Sequence, residues 1–146
     1  MLPFLVFLIG STYLSVIDFR THRLPNKIVL GLIVLIALAI LHQYDMNLFK
    51  ISLKFALLFF FIFLGLAVIS RDAIGFGDVK YSFACGQIVG LYVPDAWLEI
   101  LWIMFAIAAL VSIALISVGK LNRFDRIAFG PYMAISTIAF VANSLG

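Results

Sequence analysis

Charge is what this sequence has least of. Only 12% of its 146 residues are charged, against about 25% in an ordinary soluble domain. With 65% hydrophobic residues and a mean hydropathy of +1.21, the expectation is a protein of several membrane spans. Cysteine is nearly missing as well. Cys85 stands alone within an apolar segment, so no disulfide can close within the chain and no cysteine-based zinc site can be built. A buried free thiol is expected. The start, Met1-Leu2-Pro3-Phe4, lacks the basic region of a signal peptide, and Ser15-Val16-Ile17 is a poor cleavage site. The first apolar segment is therefore read as a retained span. No segment alternates polar and apolar residues, which excludes a closed β-barrel. The formal charge of +3 fits the basic cytoplasmic loops of a membrane protein. Its expected surroundings are the lipid bilayer, and nucleic acid is not an expected partner.

What is there is a series of six apolar segments, at about 2–17, 26–41, 51–70, 79–93, 97–118 and 127–145. A membrane helix needs about 20 residues, within a range of about 17–25. The third, fifth and sixth segments meet that length, and the second does if its polar flanks snorkel. The fourth is short and interrupted by Ser82, Gly86 and Gln87. The predicted fold is all-α, a bundle of six transmembrane helices in one domain, 1–146, with no internal repeat.

Loop charges orient the bundle. The first, third and fifth loops with their flanks hold Arg20, Arg23, Lys27, Arg71, Lys80, Lys120, Arg123 and Arg126; the other loops hold only Lys50 and Lys54. Eight of the ten basic residues thus fall on one side, which the positive-inside rule makes cytoplasmic. Both termini are then expected outside the cytoplasm. Trp97 and Trp102 suit an outer aromatic belt. His22 and His42 are placed in loops on opposite faces, so no shared metal site is expected, and no cofactor either.

The polar features gather on the cytoplasmic side. Asp18 ends the first helix and Asp78 begins the fourth, so both carboxylates are expected at comparable depth. A helix over 79–93 is about 22 Å long against a hydrocarbon core of about 30 Å, which would recess Asp78 and its glycine loop below the surface. Gly75 and Gly77 would allow positive φ and close approach to other helices. Gly86 and Gly90 would let the fourth helix pack tightly on a neighbour. As a bland alternative, Asp78 is an N-cap. Asp18 opposes the macrodipole of its own helix, so it needs either a function or a partner, of which Arg20 and Arg23 are the simplest. Asp72 is most simply a solvated loop residue, with a role in lining the site as the alternative.

Two carboxylates held close in a partly dry pocket titrate as a pair, one ionised and one protonated. That suits aspartic-protease chemistry: one activates water, the other polarises the scissile carbonyl. A proton relay or transporter subunit using intramembrane carboxylates is the competing class, and a non-catalytic assembly subunit is a third.

Three motifs in order carry a resemblance: Asp18 with Arg23-Leu24-Pro25-Asn26, then Gly75-Phe76-Gly77-Asp78-Val79-Lys80, then Phe129-Gly130-Pro131-Tyr132. Together they resemble the type IV prepilin peptidases, membrane aspartic proteases of bacteria. The resemblance implies that Asp18 and Asp78 are the catalytic pair, with Gly75, Gly77, Lys80, Pro25, Asn26, Asp72, Gly130 and Pro131 supporting the site. It implies cleavage of the basic leader of a prepilin or pseudopilin after a glycine, at the cytoplasmic face of the inner membrane, in the context of type IV pili or protein secretion. With nothing before the first helix and no CxxC pair, the chain looks like the short, peptidase-only form, and N-methyltransferase activity is not expected. Ala128 stands where many members have proline. The Gly-x-Gly-Asp string also resembles presenilins and signal peptide peptidases, but Ile17 precedes Asp18 and Pro-Ala-Leu is missing, so that reading ranks lower.

Overall fold

The computed structural model describes residues 1–21, 24–70, 74–120 and 129–146. These form six α-helices: α1 Leu2–Thr21, α2 Asn26–Gln43, α3 Met46–Ile69, α4 Phe76–Tyr92, α5 Trp97–Ser117 and α6 Gly130–Leu145, with one 3₁₀ turn at Pro94–Ala96. No strand occurs among the described residues. The all-α bundle of six helices is therefore the observed fold. Helices α1, α2 and α3, and α5 with the turn before it, are long and apolar enough to cross a membrane.

Local chemistry sets the helix ends. Proline restricts the residue before it to extended backbone, and α2 starts immediately after Pro25. The Pro25 carbonyl then accepts the first helical N–H groups, from Ile28 and Val29, at 3.1 and 3.2 Å. Helix α5 stops at Gly119, the one glycine at positive φ among the described residues (75°). Gly119 N–H donates to Ile116 O and Lys120 N–H to Leu115 O, each at 3.0 Å, the paired bonds of a Schellman stop. Pro131 lies in the first turn of α6, where a missing N–H costs nothing.

Three expectations need correcting. Helix α4 begins at Phe76, with Gly75 as its N-cap, so Asp78 lies in the first turn and is not the cap. Gly75 has φ −71° and Gly77 is helical, so neither uses positive φ; Gly77 is needed sterically, whereas a Cβ on Gly75 would meet nothing closer than Asp78 Oδ2 at 3.6 Å. Helix α6 has 16 residues, fewer than a standard span, because it starts at Gly130; 121–128, which include the expected first two residues of this segment, lie outside the described residues. A smaller correction is His42, which lies in the last turn of α2, not in a loop; His22 lies outside the described residues.

The core is continuous, with Phe7, Phe59, Phe63, Tyr81, Ile88, Ile100, Met104 and Met133 fully buried. Helix α4 is its centre and makes the most extensive interface with α3. The reason is the small-residue stripe. A Cβ on Gly86 would sit 2.5 Å from Phe55 O, and one on Gly90 2.8 Å from Phe55 Cβ. Ser52 of α3 adds a hydrogen bond to Gln87 O at 2.8 Å. Without bulk at these positions the two backbones approach closely, and packing rather than a hydrophobic drive holds them.

Alternate helix ends meet, as an up-and-down bundle requires. At one end the Met1 amino group donates to Gln43 Oε1 at 3.2 Å, and the Tyr44 and Tyr92 hydroxyls meet at 3.3 Å. The opposite end gathers the close of α1 and the starts of α2, α4 and α6.

Candidate active site

Asp18 lies in the last turn of α1 and is only 3% exposed. Its Oδ2 accepts a hydrogen bond from the Gly130 backbone N–H at 3.1 Å. That N–H is one of the first in α6, a group left without an intrahelical acceptor, at the positive end of the α6 dipole. The charge that α1 disfavours at its own C-terminus is thus met by the N-terminus of another helix.

Gly130 is held for this purpose. Phe129, just before it, packs its ring against Phe63 of α3, Phe105 of α5 and Tyr132 of α6, with centroids 5.7, 5.2 and 6.3 Å apart. A Cβ on Gly130 would lie 2.8 Å from Asp18 Oδ2, so only glycine admits the carboxylate at this distance.

Asp78 is 8% exposed, in the first turn of α4, where a negative charge favours the helix. Its neighbour Gly77 abuts Leu24: an added Cβ would lie 2.9 Å from Leu24 Cβ and 3.2 Å from Leu24 O. Leu24 Cδ1 would also lie 3.6 Å from a Cβ on Gly130. One buried leucine therefore touches both the residue bonded to Asp18 and the residue preceding Asp78. The two aspartates are brought to the same end of the bundle around it.

A second link runs beside this one. Lys80 Nζ donates to Asn26 Oδ1 at 3.2 Å, joining α4 to the first residue of α2. Pro25 caps α2 and fixes Asn26 there. Of the residues singled out in the sequence, Asp18 meets Gly130, Lys80 meets Asn26, and Gly75 and Pro131 shape the helix starts. Asp72 lies outside the described residues. Leu24 was the omission: it stood inside a quoted motif, but a leucine among basic and polar residues carries no signal of its own.

An apolar groove opens next to the site, with an accessible volume of about 400 Å³, lined by Ser70, Ile74, Phe105, Ala108, Ser112 and Phe129, among others. It reaches Phe129 and therefore the turn that presents Gly130.

The type IV leader peptidase family model matches residues 5–121. The matched stretch holds Asp18, Leu24 to Asn26 and Gly75 to Lys80, and it ends before Phe129-Gly130-Pro131. No curated protein and no solved structure matches the chain. The family match covers most of the sequence, through the helices that carry both aspartates, and the chain belongs to the type IV leader peptidase family.

Proposed function

We propose that this peptidase removes the short basic leader of type IV prepilins or pseudopilins, and that Asp18 and Asp78 form its catalytic dyad. The observation that carries this reading is the withdrawal of both carboxylates from solvent, 3% and 8% exposed, at one end of the bundle around Leu24. Buried carboxylates are expensive in a membrane protein and mark functional sites.

In the proposed reaction the ionised member of the dyad takes a proton from water as the oxygen attacks the scissile carbonyl. The protonated member donates its proton to the carbonyl oxygen, giving a neutral tetrahedral intermediate. On collapse the first carboxyl returns its proton to the leaving amine, and the second recovers a proton from the hydroxyl of the intermediate. Gly130 N–H holds the Asp18 carboxylate in a fixed orientation, and the Lys80–Asn26 bond fixes α4 relative to α2.

The basic loops put this end of the bundle on the cytoplasmic side of the bacterial inner membrane, with both termini outside. Helix α4, at 17 residues, is about 25 Å long against a hydrocarbon core of about 30 Å. Its start at Gly75 therefore lies in a recessed, wetted pocket, where irregular backbone is tolerated. The chain acts as one domain, 1–146.

Co-expression with a prepilin, followed by leader removal on gels, tests the reading. Wild type should process the substrate, while folded Asp18→Asn and Asp78→Asn variants should not. Normal processing by either variant would overturn the dyad.

A further inference from the structure

Helices α2 and α3 both pack on α4 but touch each other little. A groove is left between them, with α4 as its floor. It is lined by Leu30 and Ile33 of α2, Phe60 of α3, and Lys80 and Phe83 of α4, and its volume is about 320 Å³. The Phe60 and Phe83 rings meet edge to face with centroids 6.4 Å apart, which joins one wall to the floor. Apart from Lys80, every one of these lining side chains is hydrocarbon.

Lys80 puts a charge at one end of the groove. It is partly buried, and its Nζ reaches Asn26 Oδ1 at 3.2 Å. The stem therefore lies along the groove while the ammonium sits at the start of α2, at the end of the bundle that holds the aspartates. Asn26 is neutral, so this bond leaves the charge uncompensated, and it uses one of three N–H donors. Lys27, next to Asn26, is exposed. An apolar groove with a cation at its mouth fits a molecule that is hydrocarbon at one end and anionic at the other. Two turns of a helix 10 Å across occupy roughly 850 Å³, so the groove is too small to seat a helix and suits a single hydrocarbon chain. A zwitterionic lipid brings its own ammonium to compete for its phosphate; an anionic one does not.

We propose that this groove holds an acyl chain of an anionic phospholipid, with the lipid phosphate on Lys80 and Lys27. Basic pockets between membrane helices on the cytoplasmic side bind such head groups, and the orientation proposed above puts this end there. The lipid fills the bundle where α2 and α3 pack least on each other. The site does not rest on the catalytic reading of the aspartates.

Native mass spectrometry of the full chain, released from detergent after incubation with dioleoyl phosphatidylglycerol or dioleoyl phosphatidylcholine, tests it. Wild type should bind one phosphatidylglycerol about 5-fold more tightly than phosphatidylcholine, the preference that one lysine near an anionic head group confers. Lys80→Met should abolish that preference and Lys80→Arg should keep it. Leu30→Trp fills the groove from its exposed rim without touching the charge, and it should lower retention of both lipids several-fold. Lys120→Gln, outside the groove, should change nothing. Equal retention of the two lipids by wild type would overturn the site, as would retention unaltered by Leu30→Trp. A preference that survives Lys80→Met, or that Lys120→Gln also removes, would reduce it to general surface charge and overturn it too. A dimer that Leu30→Trp breaks, with no lipid retained, would give the groove to a second copy of the chain instead. No substrate enters the measurement, so its failure leaves the leader-cleavage reading untouched.

Discussion

Gly130 donates its backbone N–H to the Asp18 carboxylate at 3.1 Å, across 112 positions of sequence. This bond joins the end of α1 to the start of α6, and it depends on the missing side chain at Gly130. An added methyl would lie 2.8 Å from Asp18 Oδ2. Gly130→Ala should therefore displace the carboxylate and lower leader cleavage by about 10-fold or more, using roughly 1–3 kcal/mol as the strain of inserting a methyl into a packed site. The measurement is kcat/KM on a purified prepilin, beside a thermal unfolding curve. A cleavage rate equal to wild type would mean that Asp18 does not need this position.

Gly77 and Leu24 should be coupled. Gly77→Ala places a methyl 2.9 Å from Leu24 Cβ and 3.2 Å from its carbonyl oxygen, and overpacking of this kind costs about 1–3 kcal/mol. Leu24→Gly alone opens a cavity. The double variant should be less destabilised than the sum of the two, because glycine at 24 removes the Cβ that the methyl at 77 would meet most closely. Unfolding in denaturant for all four proteins gives the coupling; strict additivity would show that the contact is not tight.

The glycines of the bundle should separate into two groups. Gly86 faces backbone atoms of Phe55 and Ala56 at 2.5–2.9 Å from an added Cβ, whereas Gly31 and Gly65 have nothing within 4 Å. Gly86→Leu should prevent α3 and α4 from packing and abolish recovery of folded protein. Gly31→Ala and Gly65→Ala should be neutral or slightly stabilising, since alanine is the better helix former by about 0.5–1 kcal/mol. Yield and thermal stability in detergent decide it.

The Lys80–Asn26 bond is a smaller, separable effect. A double-mutant cycle with Lys80→Met and Asn26→Ala should return a coupling of about 0.5–1.5 kcal/mol in stability, the usual net worth of a hydrogen bond. No coupling would mean that Lys80 and Asn26 do not hold α2 and α4 together.

The fold was legible because hydrocarbon is a simple constraint. Long apolar runs in a bilayer can only be helices or barrels, and the runs do not alternate. Helix ends were less so. The start of α4 at Phe76 moved Asp78 from cap to first turn, because the Gly75 backbone, not a side chain, receives the first N–H groups of the helix: Asp78 N–H and Val79 N–H donate to Gly75 O at 3.0 and 3.3 Å. Gly75 and Gly77 were marked for positive φ as well as close approach; neither uses positive φ, and of the two only Gly77 approaches a neighbour closely, at Leu24. The bond from Gly130 to Asp18 was not legible, because a backbone N–H carries no residue identity. The sequence pointed to Arg20 and Arg23, of which Arg23 lies outside the described residues. Leu24 was hidden for another reason: a leucine among basic and polar residues shows what it touches only when the starts of α4 and α6 are set beside it.

The most direct test of the account is cleavage kinetics of Asp18→Asn, Asp78→Asn and the double variant, each shown to be folded, on one purified prepilin. Two carboxylates that act as one unit lose their function together, so each single substitution should lower kcat/KM by about 10³-fold or more, and the double should be no worse than either. A variant that cleaves at the wild-type rate, or losses that simply multiply in the double, would contradict the dyad.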